Sequence, residues 1–250
     1  MKFDGKDIKV VWVDLDDTII DFLTNSRAAL HRLWATEPVV AEHFADAESW
    51  IDTYERHNHR LWELYSAGEV TRAHLRIERF RRPLAEGGIS DATAIEKARI
   101  YDTLYLDYLA DERTLIPGAI ELLEKLHAMG VTVGCLSNGF KEVQFRKIRN
   151  CGLEPLIDIT VLSDEIDITK PDRRIFEYAA ARSGHPDPSE HLMIGDNAVT
   201  DIGGALGAGW SAIQFLRKPT NMRNAECRYI FDTLPAITRL LTSTLPLLTG

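Results

Sequence analysis

The sequence predicts an α/β fold: a Rossmann-like core on a parallel sheet, interrupted by an inserted all-helical cap domain. Three observations predict it. From residue 113 onward, short β-branched apolar runs alternate with helix-length segments, the pattern of a parallel sheet covered on both faces. A run of the same kind, Lys9-Val10-Val11-Trp12-Val13, stands alone near the start and needs that later sheet as its partner. Between them, residues 21–112 show helical spacing and no convincing strand. The expected organisation is therefore a discontinuous core, 1–20 and 113–250, with a helical cap at 21–112.

The first run reads as a buried strand that stops abruptly in Asp14-Leu15-Asp16-Asp17-Thr18. In the helical block, Leu30, Leu33 and Trp34 recur at helical spacing, and Trp50, Tyr54, Leu61, Trp62 and Tyr65 more loosely. Gly68 ends one helix, Thr71 caps the next from Ala73, and Gly87-Gly88 ends that one. Ser90 and Asp91 open another toward Leu109, giving a bundle of about four helices by pattern. In the second core segment, Pro117-Gly118 opens a helix that ends near Gly130. Residues 131–136 are expected as a strand ending in Ser137-Asn138-Gly139, 140–150 as a helix and 157–162 as a strand. A helix from Pro171 to Ser183 follows, then a strand over 191–194 ending in Gly195-Asp196-Asn197. Residues 199–208 (helix), 211–215 and 229–231 (strands) and 234–241 (helix) complete the alternation. The tail 240–248 reads as a helix end packed on the body. No internal repeat or low-complexity segment is visible.

Bulk properties narrow the function. The 250 residues carry a formal net charge of -9, so the overall field does not draw the chain to a nucleic-acid polymer or an anionic membrane. A small anionic substrate remains compatible, because a local cation reverses the sign inside a site. Cys135, Cys151 and Cys227 are few, odd in number and without CxxC spacing, which argues against a disulfide scaffold or zinc knuckle and fits a reducing cytoplasm. No signal-like apolar core opens the chain, and no stretch has transmembrane length.

Four motifs fall at the carboxyl ends of separate strands, where ligands of such sheets bind: Asp14-Leu15-Asp16-Asp17-Thr18, Ser137-Asn138, Lys170-Pro171, and Gly195-Asp196-Asn197 through Asp201. Phosphoryl transfer needs an in-line nucleophile, neutralised equatorial oxygens and a proton for the leaving oxygen. Asp14, first after the strand, suits the nucleophile. Asp16, two residues on, projects to the same side in an extended turn and suits the acid and base; neighbouring carboxylates are expected to keep it protonated. Asp14 and Asp196, with Asp201, form a hard oxygen set for a magnesium-like cation. Ser137 with the N–H groups that follow it, Asn138 included, suits phosphate binding. Lys170 supplies fixed positive charge, and Pro171 is expected to set the next helix and so the lysine. Thr18 and Asn197 are supporting candidates.

These motifs, in this order, resemble the haloacid dehalogenase-like hydrolase superfamily: its DxDx(T/V), strand-end Ser/Thr, Lys and GDxxxxD. The resemblance implies that Asp14 is the nucleophile, Asp16 the acid/base, Ser137 and Lys170 the phosphate-binding pair, and that Asp14, Asp196 and the backbone carbonyl of Asp16 bind Mg2+. It implies that Asp201 orients Lys170 or a metal-bound water, and that the helical insertion is a type I cap that closes over substrate. Where many members have Gly after the second Asp, this chain has Asp17. The cap stretch Leu61-Trp62-Glu63-Leu64-Tyr65, Gly68-Glu69-Val70-Thr71 and Leu75–Arg82 resembles the pyrimidine 5′-nucleotidase branch, which implies small phosphorylated metabolites such as UMP, dUMP or dTMP as substrates. Competing expectations are a phosphatase for sugar phosphates or phosphoglycolate, a phosphomutase, a 2-haloacid dehalogenase, and, from a different class, a phospho-accepting receiver.

Each motif alone also has a plain structural reading: an N-cap, a loop serine, a surface lysine, a turn. Their joint occurrence at successive strand ends is what favours chemistry. Other features read as structure. Gly203 to Gly209 lies in the wrong context for a dinucleotide loop. His57 and His59 diverge on a helix. Arg72, Arg76 and Arg79 read as a solvated face, and Trp50, Trp62, Phe80 and Tyr101 as cap core. Cys135, inside a buried strand, reads as inert.

Overall fold

Val10, Val11, Trp12 and Val13 are wholly buried and form the strand on which the core is built. The computed structural model describes residues 1–217 and 222–243. They divide into two compact units, Met1–Phe22 with the segment from Thr114 onward, and Leu23–Arg113.

The first unit opens with a small antiparallel hairpin, β1 (Lys2–Phe3) and β2 (Lys6–Asp7), which the sequence reading did not anticipate. The strands are only two residues each, too short to show a period. β3 (Val10–Val13) then enters a six-stranded sheet with β4 (Thr132–Ser137), β5 (Ile159–Leu162), β6 (His191–Gly195), β7 (Ser211–Phe215) and β8 (Tyr229–Phe231). The order is β5-β4-β3-β6-β7-β8, with every neighbouring pair parallel. Side chains alternate across β3 as a strand requires. Val11 and Val13 join Val133, Leu192, Ile194 and Ile213 on one face, and Val10 and Trp12 join Met193, Ala212 and Trp210 on the other. Register matters most for function: Val13 lies opposite Cys135 and Ile194. The chain therefore leaves β3, β4 and β6 at nearly one level, and Asp14 N–H still bonds the Ile194 carbonyl at 2.9 Å.

In the inserted unit, five helices take the place of the expected four or so: α1 (Phe22–Thr36), α2 (Pro38–His43), α3 (Ala47–Ser66), α4 (Arg72–Glu86) and α5 (Asp91–Asp111). The added α2 has six residues and starts at a proline, too short to reveal a helical period. Thr71 and Ser90 cap α4 and α5 as predicted, accepting from His74 N–H and Thr93 N–H. Trp50, Tyr54, Phe80 and Tyr101 are buried in a shared aromatic cluster. Trp62 is only half-buried and meets Tyr65 edge-on. The expectation of a solvated arginine face fails at Arg79. It is 3% exposed, and its guanidinium donates to Asp102, which also accepts from Arg76. A carboxylate on the neighbouring helix turned that stripe inward. His57 and His59 diverge to Glu86 and Glu63.

The core helices are α6 (Ala119–Ala128), α7 (Lys141–Asn150), α8 (Ser163–Ile166), α9 (Arg173–Arg182), α10 (Gly204–Gly207) and α11 (Leu234–Thr242). Three differ from expectation. α8, a single turn directly after β5, was not anticipated and separates that strand from Lys170. α9 begins after an Asp172 N-cap that accepts from Arg174 N–H, so Pro171 lies outside the helix, and the Lys170–Pro171 peptide is cis. The helix predicted over 199–208 is a π turn, Ala198–Gly203, that continues into α10. Of the predicted packed tail, residues 244–248 fall outside the described ones. No helix among the described residues is long and apolar enough to cross a membrane.

Gly134 in β4 faces Trp12, and a Cβ there would lie 2.2 Å from the indole ring. The ring cannot yield cheaply, since it is fully buried and Trp12 Nε1 donates to His191 Nδ1 at 3.0 Å. Gly134→Ala is therefore expected to cost about 1–3 kcal/mol by overpacking, read as a lower urea midpoint; an unchanged midpoint would contradict this packing.

Candidate active site

The abrupt end of β3 puts Asp14 at the carboxyl edge of the sheet with 8% of its surface exposed. Its Oδ1 accepts from Lys170 Nζ at 2.7 Å. The same ammonium donates to Asp201 Oδ1 and to the Leu136 carbonyl, each at 2.7 Å. Three acceptors use all three ammonium hydrogens, so the lysine has one orientation. Its backbone is held too. Lys170 N–H donates to Asn138 Oδ1 at 2.8 Å, and Asn138 Nδ2 donates to the Lys170 carbonyl at 3.0 Å. This corrects one expectation: the lysine is placed by the Asn138 side chain, not by a helix starting at Pro171.

Asp201 folds back from the π turn beneath Gly195. A Cβ at position 195 would lie 2.4 Å from Asp201 Oδ2, so this approach needs the glycine. Asp201 Oδ2 accepts from Asn197 N–H at 3.0 Å, and Asn197 Oδ1 caps the turn by accepting from Val199 and Thr200 N–H. Asp196 lies between these anchored residues, its carbonyl accepting from the buried Gln214 side chain at 3.2 Å. Carboxylate oxygens of Asp14, Asp196 and Asp201 lie within 4.8 Å of one another.

The Asp16 carboxylate, expected as acid and base and not as a metal ligand, lies outside that group. Oδ2 accepts from Gln144 Nε2 at 2.9 Å and Oδ1 from Lys147 Nζ at 2.7 Å. The neighbours that crowd it in sequence are not the groups bonded to its oxygens, because α7 reaches in from 131 residues away. Ser137 Oγ accepts from Gly139 N–H at 3.1 Å and from Gln144 Nε2 at 2.8 Å. Thr18 is fully buried, and its Oγ1 has no hydrogen-bond partner. Asp17, in the left-handed region at φ 58°, faces Arg217 at 3.8 Å, and Arg217 also clasps Asp21 at 2.6 and 2.7 Å. The extra negative charge of Asp17 thus has a cation beside it. Gln144, Lys147 and Arg217 were all missed in the sequence. Their only signal is polar residues that turn out to be aimed at the site.

Charge crowding shifts the buried acids. Burial pushes the Asp14 carboxyl up to about 7, against the pull of Lys170 and with help from Asp201. Burial, then Asp201, Asp14 and Asp17, push Asp196 well above the usual carboxylate range. Lys170 is raised: burial lowers it, but Asp14 and Asp201 together prevail. Cys135, behind Asp14, is pushed up by burial and stays a thiol. Three hard oxygen donors this close fit a divalent cation of the magnesium type.

The model of the haloacid dehalogenase-like hydrolase family matches residues 8–209. The chain belongs to this family. Among relatives of this hydrolase, the pyrimidine 5′-nucleotidase YjjG of Escherichia coli (strain K12) is 30% identical over 201 residues, covering 80% of this chain and 82% of that protein. The pyrimidine 5′-nucleotidase PynA of Streptococcus pneumoniae is 27% identical, over 86% of each chain. In fold, the hydrolase is similar to magnesium-bound YfnB from Bacillus subtilis, with a TM-score of 0.82, 24% identity and coverage of 95% and 100%.

A divalent cation held by the raised carboxyls would bind in a pH-dependent way. Asp14 has an ordinary value of 3.8 and rises to about 7, so the ion-free folded protein holds a proton there that coordination must release. Magnesium affinity is expected to increase as pH rises through about 7 and then level off, with calorimetry in two buffers showing proton release. Without the cation, the stability contributed by protonated Asp14 is fully present below 3.8 and lost as pH rises through about 7. Affinity that is flat or falling across this window would contradict the shifted carboxyls.

Proposed function

We propose that this hydrolase is a magnesium-dependent phosphomonoesterase that works through a phosphorylated Asp14. The convergence of Asp14, Lys170, Asp201 and Asp196 at one strand-end rim carries the reading. Asp14, Asp196 and the carbonyl of Asp16 would hold the cation, with Asp201 beside them; the cation would draw in an anionic substrate and offset charge on the transferring group.

The remaining chemistry belongs to the chain. An Asp14 carboxylate oxygen attacks phosphorus as the bond to the leaving oxygen breaks. Lys170, fixed by three acceptors, faces the charge on the transferring group. Ser137 donates its hydroxyl hydrogen to a phosphate oxygen. Asp16 gives a proton to the leaving alkoxide, then takes one from a water that attacks the phosphoryl-aspartate. The phosphorus–Asp14 bond breaks, phosphate departs and Asp14 is regenerated. Asn138 and Asp201 serve by holding Lys170, and Asn197 by shaping the turn that presents Asp196.

We assign substrate choice to the helical unit. Small phosphorylated metabolites, pyrimidine nucleoside 5′-monophosphates foremost, are the proposed substrates. Support comes from the resemblance of residues 61–82 and from the names of YjjG and PynA.

The test is phosphate release from pyrimidine and purine monophosphates, sugar phosphates and phosphoglycolate, with and without magnesium. Activity is expected to need the cation. Asp14→Asn, folded, is expected to retain under about a thousandth of wild-type turnover, since removing a nucleophile can cost about 10⁶-fold. Near-wild-type turnover in that variant would overturn the nucleophile. Preference for sugar phosphates over every nucleotide would overturn the substrate class alone.

A further inference from the structure

Helix α7 sends two polar side chains inward that the scheme above does not use. Gln144 is 1% exposed and Lys147 is 3% exposed, and they share one face at i, i+3. Burying an amide and an ammonium is costly unless their partners justify it. Here the partners are two side chains of the strand-end rim. Gln144 Nε2 bridges Asp16 Oδ2 and Ser137 Oγ, at 2.9 and 2.8 Å. Lys147 Nζ meets the other oxygen of Asp16 at 2.7 Å and lies 5.0 Å from the Phe22 ring centroid. Each oxygen of one carboxylate thus has its own buried donor. A carboxylate on a turn, with 28% of its side chain exposed, would otherwise rotate freely.

The arrangement has a second effect. Ser137 Oγ accepts from both Gln144 and Gly139. Both lone pairs are then occupied, and the hydroxyl hydrogen is left to donate, which is the role an anionic oxygen requires of it. The approach of Gln144 depends on Gly139, where a Cβ would lie 2.3 Å from Gln144 Nε2.

We propose that Gln144 and Lys147 are positioning residues for phosphoryl transfer: together they fix the carboxyl group of Asp16, which in its protonated form gives its hydrogen to the leaving group, and Gln144 leaves Ser137 as a donor to phosphate. The proposal rests on the reading of Asp16 as general acid.

The experiment compares two leaving groups through kcat/KM, which reports steps up to leaving-group departure. p-Nitrophenyl phosphate expels a stable phenolate that needs little protonation, whereas an alkyl phosphate expels an alkoxide that needs a proton. With the best alkyl phosphate found for the wild type, Lys147→Met is expected to lower kcat/KM at least about tenfold more than with the aryl ester. Lys147→Arg is expected to restore most of the ratio. Asp16→Asn combined with Lys147→Met is expected to lose no more than Asp16→Asn alone. The ratio of the two esters does not depend on the folded fraction, and Gln144→Met is expected to lower the same ratio should Lys147→Met fail to fold. Equal losses on both esters, or additive losses in the double variant, overturn the proposal and leave the phosphatase reading standing. A wild-type protein inactive on both esters overturns that reading and the proposal with it.

Discussion

A lysine ammonium with 1% exposure, held between two carboxylates and a carbonyl, is the interaction on which the site depends. Taking a charge out of water costs several kcal/mol, and ion pairs in such places often return no net stability. Lys170 is nevertheless sequestered with Asp14 and Asp201, and its backbone is clasped by Asn138. Gly195 is bare so that Asp201 can reach it, and Gly204 leaves room for Phe176, whose ring a Cβ at 204 would approach to 2.6 Å. Residues that follow three strands, β3, β4 and β6, are spent on one cation. An apolar core would do better for stability, so the expense points to chemistry.

The sheet makes this possible. Parallel strands in register deliver their carboxyl ends to one rim, and each abrupt stop exposes a polar residue at the same level. The carboxylates gathered there repel one another and lose hydration, which lifts Asp14 and Asp196 well above ordinary acids. This crowding is unfavourable only while nothing cationic joins it. The same energy would then favour a divalent ion and the phosphate that the proposed reaction requires. α7 adds a second wall, in which Gln144 and Lys147 each bond one oxygen of Asp16.

The strand ends were legible because each is a sharp break, with apolar β-branched residues running straight into carboxylates, a serine or a glycine. Asp14, Ser137, Asp196 and Asp201 could be read off those breaks; Lys170, beyond α8, stood out only by its Lys-Pro pair, and the structure brings Asp14, Lys170, Asp196 and Asp201 together. Residues on helices were harder. In Lys141-Glu142-Val143-Gln144-Phe145-Arg146-Lys147, charges surround the two inward polar positions, so the stretch reads as a solvated face. Arg79 misled in the same way, since only contact with Asp102 on another helix shows it to be buried. Local sequence could not show the donors bonded to Asp16, because they lie more than a hundred residues away. The hairpin at residues 2–7, α2 and the π turn at 198–203 escaped because they are too short, or too irregular, to carry a period.

The most direct measurement is chemical trapping of the enzyme during turnover. With a phosphate ester and magnesium present, borohydride reduction followed by peptide mass spectrometry should convert an acyl phosphate at position 14 to the corresponding alcohol. The account predicts substrate-dependent reduction at Asp14 alone. Reduction at another carboxylate, or none at Asp14 while phosphate is being released, would contradict it.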